Sequence, residues 1–412
     1  MNHRQLKDST VKSWAGLLAF VFFGLTLLLA SCSDDDSPIA EAEEEEETIA
    51  SRTVLAYVVG DNQSTSSGAS DLSSLLKVNI DSMFVGMKSV TDGNLLVLSK
   101  LSGDTNSYLF RLKNSKGTVT ADTLYTYDDV NPLSDETMLE IITTAFGECP
   151  ANSYGFAFLS HAEGWVEAST SASSRFMGIY KNTAMDICDF QYVLSASGYH
   201  LDFIMYDACF MQSVEVAYEL RNEADYFIGS PTEIPGPGAD YSVVVPAFFE
   251  TTDYAEAIAQ AYYQPYAEKY NGGTNLSNSN WTAGVSVSVI SADALDDLAA
   301  SSKEVFDNYS FDNKVVDIMR YDRRSTRYYY DLDGLMCHLT DENDDYDAWR
   351  EVFGKAVPVW LTTEMNYSSS GGLFSMSGAS GLSTYIPLSS TSASVLAYYQ
   401  TYQWSEDTGW GQ

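Results

Sequence analysis

Two residues pair a nucleophile with a base in settings that chemistry can use. Cys209 follows the apolar run Leu201-Asp-Phe-Ile-Met-Tyr206 and the pair Asp207-Ala208. His161 follows Tyr154-Gly-Phe-Ala-Phe-Leu159 and Ser160. Each run has strand length and stops at a reactive side chain. A thiolate attacks carbonyl carbon, and an imidazole takes and returns a proton near neutral pH. Brought together, they form a dyad for thiol-dependent cleavage of peptide bonds.

The elements between them predict that they meet. Residues Asn182 to Gly198 carry Ile187, Phe190 and Leu194 at helical spacing, with Gly198 suited to a C-cap. Strand, helix, strand is a right-handed parallel crossover, so both runs end on one edge of one sheet. Neighbouring strands lie about 4.8 Å apart, and open α/β sheets place their sites at the carboxyl ends of strands. Of the other histidines, His3 lies in the leader, His200 precedes a strand on the opposite edge, and His338 sits in a helical context beside Cys337.

Residues Phe210 to Leu220 read as a helix that begins at Cys209. Its amino end would favour the thiolate, and its N–H groups would hold an oxyanion. Strand alternation places Leu201, Phe203, Met205, Asp207 and Cys209 on one face if the extended backbone persists. Asp207 could then pair with a substrate Arg or Lys. The competing role is that of a strand-end Asp capping the following helix.

The remainder alternates strand and helix. Thr53–Val59, Leu95–Leu98, Tyr226–Gly229 and Val285–Ile290 read as strands, and 108–112 with 119–125 as a hairpin across Asn114 to Gly117. Helices are expected at 72–87, 134–146, 254–270 and 293–306, and Pro231 to Asp240 as a Pro/Gly loop of the kind that lines sites. The last third reads as mostly helical, with one strand near 382–386. The fold class is therefore α/β, a mainly parallel sheet sandwiched by helices. The core spans 51–291 of a domain covering 51–412, and 292–412 is its helical part.

The amino terminus reads as an address. Arg4, Lys7 and Lys12 precede an apolar run from Ala15 to Leu29, too short for a span of roughly 20 residues. Leu29-Ala30-Ser31-Cys32 resembles a bacterial lipobox, which implies a leader over 1–31 and a lipid on Cys32. Residues Ser33 to Glu47 hold nine carboxylates and no base, so 32–50 reads as a solvated tether. Ser33-Asp34-Asp35-Asp36 resembles the acidic export tag of surface lipoproteins in Bacteroidetes-type bacteria. This implies anchoring by Cys32 in outer-membrane lipid, at the cell surface or on the periplasmic face.

A net charge of -35 disfavours nucleic acid, whose phosphates need clustered Lys and Arg. Cys149, Cys188 and Cys337 form no CxxC pair, which argues against zinc and for unpaired thiols. Asp341, Asn343, Asp344, Asp345 and Asp347 lack the Gly and terminal Glu of an EF-hand loop and read as a solvated acidic loop. The 7 Trp and 28 Tyr are scattered and read mostly as core.

At this point a family resemblance becomes specific. The two strand ends are similar to the motif pair of caspase-like cysteine peptidases. Asp207-Ala-Cys-Phe-Met-Gln-Ser-Val-Glu-Val-Ala-Tyr-Glu-Leu220 resembles the nucleophile segment of the clostripain family. Thr53-Val-Leu-Ala-Tyr57, Ser230 to Tyr241, Ser286-Val-Ser-Val-Ile-Ser291 and Gly381-Leu-Ser-Thr-Tyr-Ile-Pro387 are also similar to it. The resemblance implies a caspase-like fold and peptide or protein substrates cleaved after Arg or Lys. It implies His161 and Cys209 as the dyad, and the N–H groups of Ala162 and Cys209 as the oxyanion hole. Asp207, Glu233 and Asp240 would contact substrate. Self-cleavage would fall between the two strands, at Arg175 in the small polar run 168–175 rather than at Lys181. No cofactor is required, calcium is admitted at an unidentified site, and a monomer is expected.

Three positions depart from the family pattern: Ala162 replaces a usual Gly, Ser160 a usual Asp, and Ala239 a common Trp. If the backbone at 162 had positive φ, its Cβ would strain the hole. The alternative function is thus a catalytically impaired binding lipoprotein. A glycan-capturing lipoprotein rests only on location and aromatic content.

Overall fold

The computed structural model describes residues 49–60, 71–166, 177–181, 183–272, 281–324, 327–389 and 392–412. Cys32, Arg175, the leader and the tether up to residue 48 lie outside the described residues. The chain begins with β1 (Ala50–Val59), α1 (Ser73–Gly86), β2 (Asn94–Lys100) and the hairpin β3 (Ser107–Ser115)–β4 (Thr118–Tyr127). Next come α2 (Asp135–Glu148), β5 (Ala151–Leu159), a small hairpin β6 (Met177–Tyr180)–β7 (Thr183–Met185), α3 (Ile187–Ser197) and β8 (Leu201–Asp207). Then follow α4 (Val214–Glu219), β9 (Ala224–Gly229), α5 (Tyr241–Ala247), α6 (Tyr254–Lys269) and β10 (Ser286–Ser291). The last part holds α7 (Leu295–Asn308), β11 (Tyr330–Asp331), α8 (Leu332–Thr340), α9 (Asp344–Ala356) and β12 (Val359–Thr362). It ends with β13 (Met365–Ser368), β14 (Gly372–Ser375), β15 (Ser383–Thr384), α10 (Ala393–Tyr399) and α11 (Gln403–Thr408).

Nine strands form the main sheet in the order β12-β10-β9-β8-β5-β1-β2-β3-β4. The five central strands run parallel, and antiparallel strands flank them on both sides. Strands covered on both faces must be apolar throughout, and Val54 to Val58 are 0% exposed. Their alternation divides the core. Leu55 and Tyr57 face one cluster, with residues of α2, α3, α4 and α7. Val54, Ala56 and Val58 face the other, with α1, α5 and α6.

Three expectations need correction. The stretch 183–186 is not helical: Thr183–Met185 pairs back on Met177–Tyr180, and the helix begins at Ile187 after Asp186. The helix after Cys209 begins only at Val214, capped by the Ser213 hydroxyl. The last part holds more strands than the one expected near 382–386. Its Val359–Thr362 adds β12 to the main sheet against β10, with Val287 opposite Leu361, so the division at 291 crosses the sheet. The acidic stretch after α8 serves as a helix start, where the Asn343 carboxamide oxygen accepts the N–H groups of Asp345 and Tyr346. Trp165, Trp349 and Trp404 are wholly buried.

Candidate active site

β5 and β8 are neighbours, and their last register pair is Leu159 opposite Asp207. Both chains leave the sheet at the same level. His161 and Cys209 each stand two residues further on, so both follow the carboxyl ends of adjacent strands.

His161 opens a tight passage. Its carbonyl accepts the Gly178 N–H at 2.8 Å, and Ala162 forms an antiparallel bridge with Met177. Ala162 is not among the residues with positive φ, so its Cβ is unstrained. The left-handed position is Gly164, with φ 70. A Cβ there would lie 2.6 Å from the Tyr329 hydroxyl and 2.7 Å from the Phe210 carbonyl oxygen. Asp71 is the carboxylate that feels the charge of His161. Burial raises its carboxyl, but hydrogen bonds from Ser102 and Ser73, together with His161, outweigh burial and lower it.

Cys209 is half-buried and packs against the cluster that holds Leu55 and Tyr57. Phe203 and Met205 lie in the opposite cluster, so the shared face predicted for Met205, Asp207 and Cys209 ends at Asp207, where the strand ends. The thiol accepts the Ile234 N–H at 3.4 Å, a loop contact in place of the expected helix terminus. Burial pushes the thiol up to about 12, and Glu233 and Glu163 add to this. The Ile234 N–H and Arg324 pull in the other direction. Burial thus favours the thiol, in the direction opposite to the helix-end effect expected for the thiolate.

Arg324 was not foreseen as part of the site. Its guanidinium bonds the Glu163 carboxylate, lies 3.6 Å from the Glu233 carboxylate and sits 5.1 Å over the Phe210 ring. Phe210 in turn stacks on Tyr329, with centroids 4.9 Å apart. Phe210 adopts φ 59 and donates its N–H to Thr232 at 3.0 Å, which fixes the turn carrying Cys209. Gln212 and Glu215 lock the next residues. The Gln212 side chain donates to the Ser288 carbonyl at 2.7 Å, and buried Glu215 accepts the Tyr385 N–H at 2.8 Å.

The three carboxylates expected at the substrate are placed differently from one another. Asp207 is 6% exposed and accepts from Ala239 N–H at 3.0 Å, Tyr241 hydroxyl at 3.0 Å and Tyr262 hydroxyl at 2.8 Å. Burial raises its carboxyl against those three donors. Gly238 lies directly over it with φ 63, and a Cβ would stand 2.5 Å from Oδ2. Asp240 is a helix cap: its Oδ1 accepts Ser242 N–H at 3.1 Å and Ser82 hydroxyl at 3.2 Å. Glu233 accepts Ser368 hydroxyl at 3.0 Å and Ser369 N–H at 2.7 Å, and of the three it alone acts on the Cys209 thiol.

Cys149, Cys188 and Cys337 carry free thiols. Among the described residues no group of three or more His, Cys, Asp or Glu could hold a metal ion. No helix among them is long and apolar enough to cross a membrane.

The model of the clostripain family matches residues 56–412. A secreted C11 cysteine protease from Bacteroides thetaiotaomicron, solved with an irreversible peptide inhibitor, is 40% identical. That match covers 87% of this chain and 99% of the other with a TM-score of 0.79. An inactive zymogen C11 protease from Parabacteroides distasonis is 30% identical over 88% of this chain and 99% of the other, with a TM-score of 0.74. A second Bacteroides thetaiotaomicron enzyme, iotapain, shares the fold at 23% identity, with a TM-score of 0.76 and 88% and 99% covered. No curated protein matches. A match over nearly all of the described chain, on a sheet whose edge carries both motif residues, places this protein in the clostripain family of cysteine peptidases.

Proposed function

We propose that this peptidase works through a His161–Cys209 dyad and cleaves after Arg or Lys. The carrying observation is the register pair Leu159–Asp207, which sets the two reactive residues at equal height on adjacent strands. Because burial favours the thiol at Cys209, His161 must remove its proton as sulfur attacks the scissile carbonyl carbon. The N–H groups of Ala162 and Cys209 hold the oxyanion. His161 then gives its proton to the leaving amine as the C–N bond breaks, and water activated by His161 releases the acyl group.

The basic preference is supported by Glu163 and Glu233, whose charges reach the Cys209 thiol with Arg324 as the countercharge, and by Asp207 at the end of β8. Asp207 has three donors on two oxygens, which leaves acceptor capacity for an incoming cation. Self-cleavage at Arg175 belongs to the same proposal. Val166 and Met177, on either side of 167–176, are buried, and Met177 is bridged to Ala162 beside His161. One similar structure is of an inactive zymogen, in keeping with such a step. The lipid anchor on Cys32, and with it an outer-membrane location, rests on the sequence of residues 1–47.

The impaired-binder alternative drew on strain at Ala162, and the backbone there gives it no support. The deciding experiment compares fluorogenic Arg, Lys and Gln peptides with the wild type, Cys209→Ala and His161→Ala. Equal turnover of the Gln peptide would overturn the basic preference, and turnover by Cys209→Ala would overturn the dyad.

A further inference from the structure

The loop that carries Arg324 has a second side. Its base is pinned by the Tyr321 N–H donating to the Tyr329 carbonyl at 2.8 Å and by a bridge between Arg320 and Tyr330. Arg324 reaches from it to the catalytic turn, while Arg320, Arg323 and Arg327 line a separate cavity of about 700 Å³ with Tyr330 and His338. The chain has 22 Lys and Arg against 57 Asp and Glu, so three arginines around one cavity are a local inversion of its charge.

Their pairing is incomplete. Arg323 Nε is buried without a hydrogen-bond partner, and its Nη2 finds only the Met319 sulfur at 3.6 Å. Its guanidinium is held over Phe374 at 4.3 Å. Burial, and then the charge of Arg320, destabilise its cationic form. Arg320 has Asp322 at 3.6 Å, yet neither Arg323 nor Arg327 forms an ion pair with a carboxylate among the described residues. The acids nearby are largely engaged: Asp333 takes Arg350 at 3.1 Å and the Tyr346 hydroxyl, and Asp312 takes His338 at 3.1 Å and Lys314. Asp317 remains at the rim. A half-desolvated Arg323 guanidinium without a carboxylate, beside an exposed Arg327 that also lacks one, is the donor set of an oxyanion site.

The rest of the lining narrows the ligand. Val315, Val316, Ile318 and Met319 border the same cavity, and Val316 is 92% exposed. A small dianion would leave these groups uncovered and would face Asp317 and Asp333. A peptide carrying carboxylates among aliphatic side chains would satisfy both parts.

We propose that this cavity, lined by Arg320, Arg323 and Arg327 and not by Arg324 or Cys209, is an exosite for an acidic segment of polypeptide. That the segment belongs to a protein substrate rests on the peptidase reading; the binding itself does not.

The test is isothermal titration of the full chain carrying Cys209→Ala with acetyl-Val-Glu-Glu-Val-amide, acetyl-Val-Gln-Gln-Val-amide and inorganic phosphate. Saturable binding is expected for the Glu peptide, with the Gln peptide at least about tenfold weaker, since a charge-assisted bond contributes more than that. Arg323→Gln and Arg327→Gln should each weaken the Glu peptide by about tenfold or more, while small fluorogenic peptides are cleaved unchanged when Cys209 is present. Arg327 is exposed, so its variant decides the matter if Arg323→Gln fails to fold. Absent binding, equal affinity for Glu and Gln peptides, full affinity in Arg327→Gln, or tighter binding of phosphate would each overturn the proposal.

Discussion

Asp207 accepts the Tyr262 hydroxyl at 2.8 Å with one oxygen, and the Ala239 N–H and Tyr241 hydroxyl with the other. The carboxylate that ends β8 therefore also shapes the loop from Ser230 to Tyr241. Asp207→Asn should lower kcat/KM for Arg and Lys peptides at least about tenfold relative to Gln peptides, the loss of a charge-assisted pair of roughly 1.5–3 kcal/mol. An equal loss on all three peptides would make Asp207 a loop support alone.

Replacing either member of the dyad should abolish hydrolysis and spare the fold. Cys209→Ala and His161→Ala remove half-buried side chains at strand ends, so circular dichroism and melting temperature should stay near wild type. Loss of activity accompanied by unfolding would leave the assignment unsupported.

Thiol reactivity should follow the charges around Cys209. Glu233 and Glu163 raise the thiol and Arg324 lowers it. Glu233→Gln should speed alkylation by iodoacetamide at a fixed neutral pH, and Arg324→Ala should slow it. A change in the opposite direction in either variant would show that the charges act through a rearranged turn.

Glu215 gives a pH signature unlike that of a surface carboxylate. Burial pushes it up to about 7 from an ordinary value of 4.5, despite the Tyr385 N–H and the Thr384 hydroxyl. A carboxyl raised on folding holds its proton more tightly folded than unfolded. Its contribution is complete below 4.5 and is lost as pH climbs through about 7. Glu215→Gln should therefore gain stability relative to wild type between pH 4.5 and 7, with little further change above. Parallel stability curves for the two proteins would contradict this.

Self-cleavage is read on a denaturing gel with intact-mass analysis. Wild type should yield two fragments cut after Arg175, while Cys209→Ala and Arg175→Ala remain whole. An uncut and fully active wild type would remove this step.

The placement of His161 and Cys209 was legible because each follows its own apolar run, and two parallel strands with a crossover fix their height. The turn after Cys209 was not. Phe210 to Ser213 have a helical pattern, yet Phe210 is bound to Thr232, Gln212 to Ser230 and Ser383 to Gln212, so long-range bonds override the local preference. Asp71 and Arg324 were missed for a related reason. Their partners lie across the fold, and nothing near them in sequence marks the encounter. β12 was hidden by its length, four residues between a helix and a hairpin.

His161 follows β5 and Cys209 follows β8, and these strands are hydrogen-bonded neighbours in the middle of the sheet. A break anywhere between residues 167 and 176 would leave the two reactive groups on different polypeptides. The pair would then be a property of an assembly. Its separation would require opening the interior of a nine-stranded sheet, so the broken chain would not fall apart on dilution. Once denatured, it would regain activity at a rate set by the concentration of both pieces, whereas the unbroken chain would recover at a rate independent of its own.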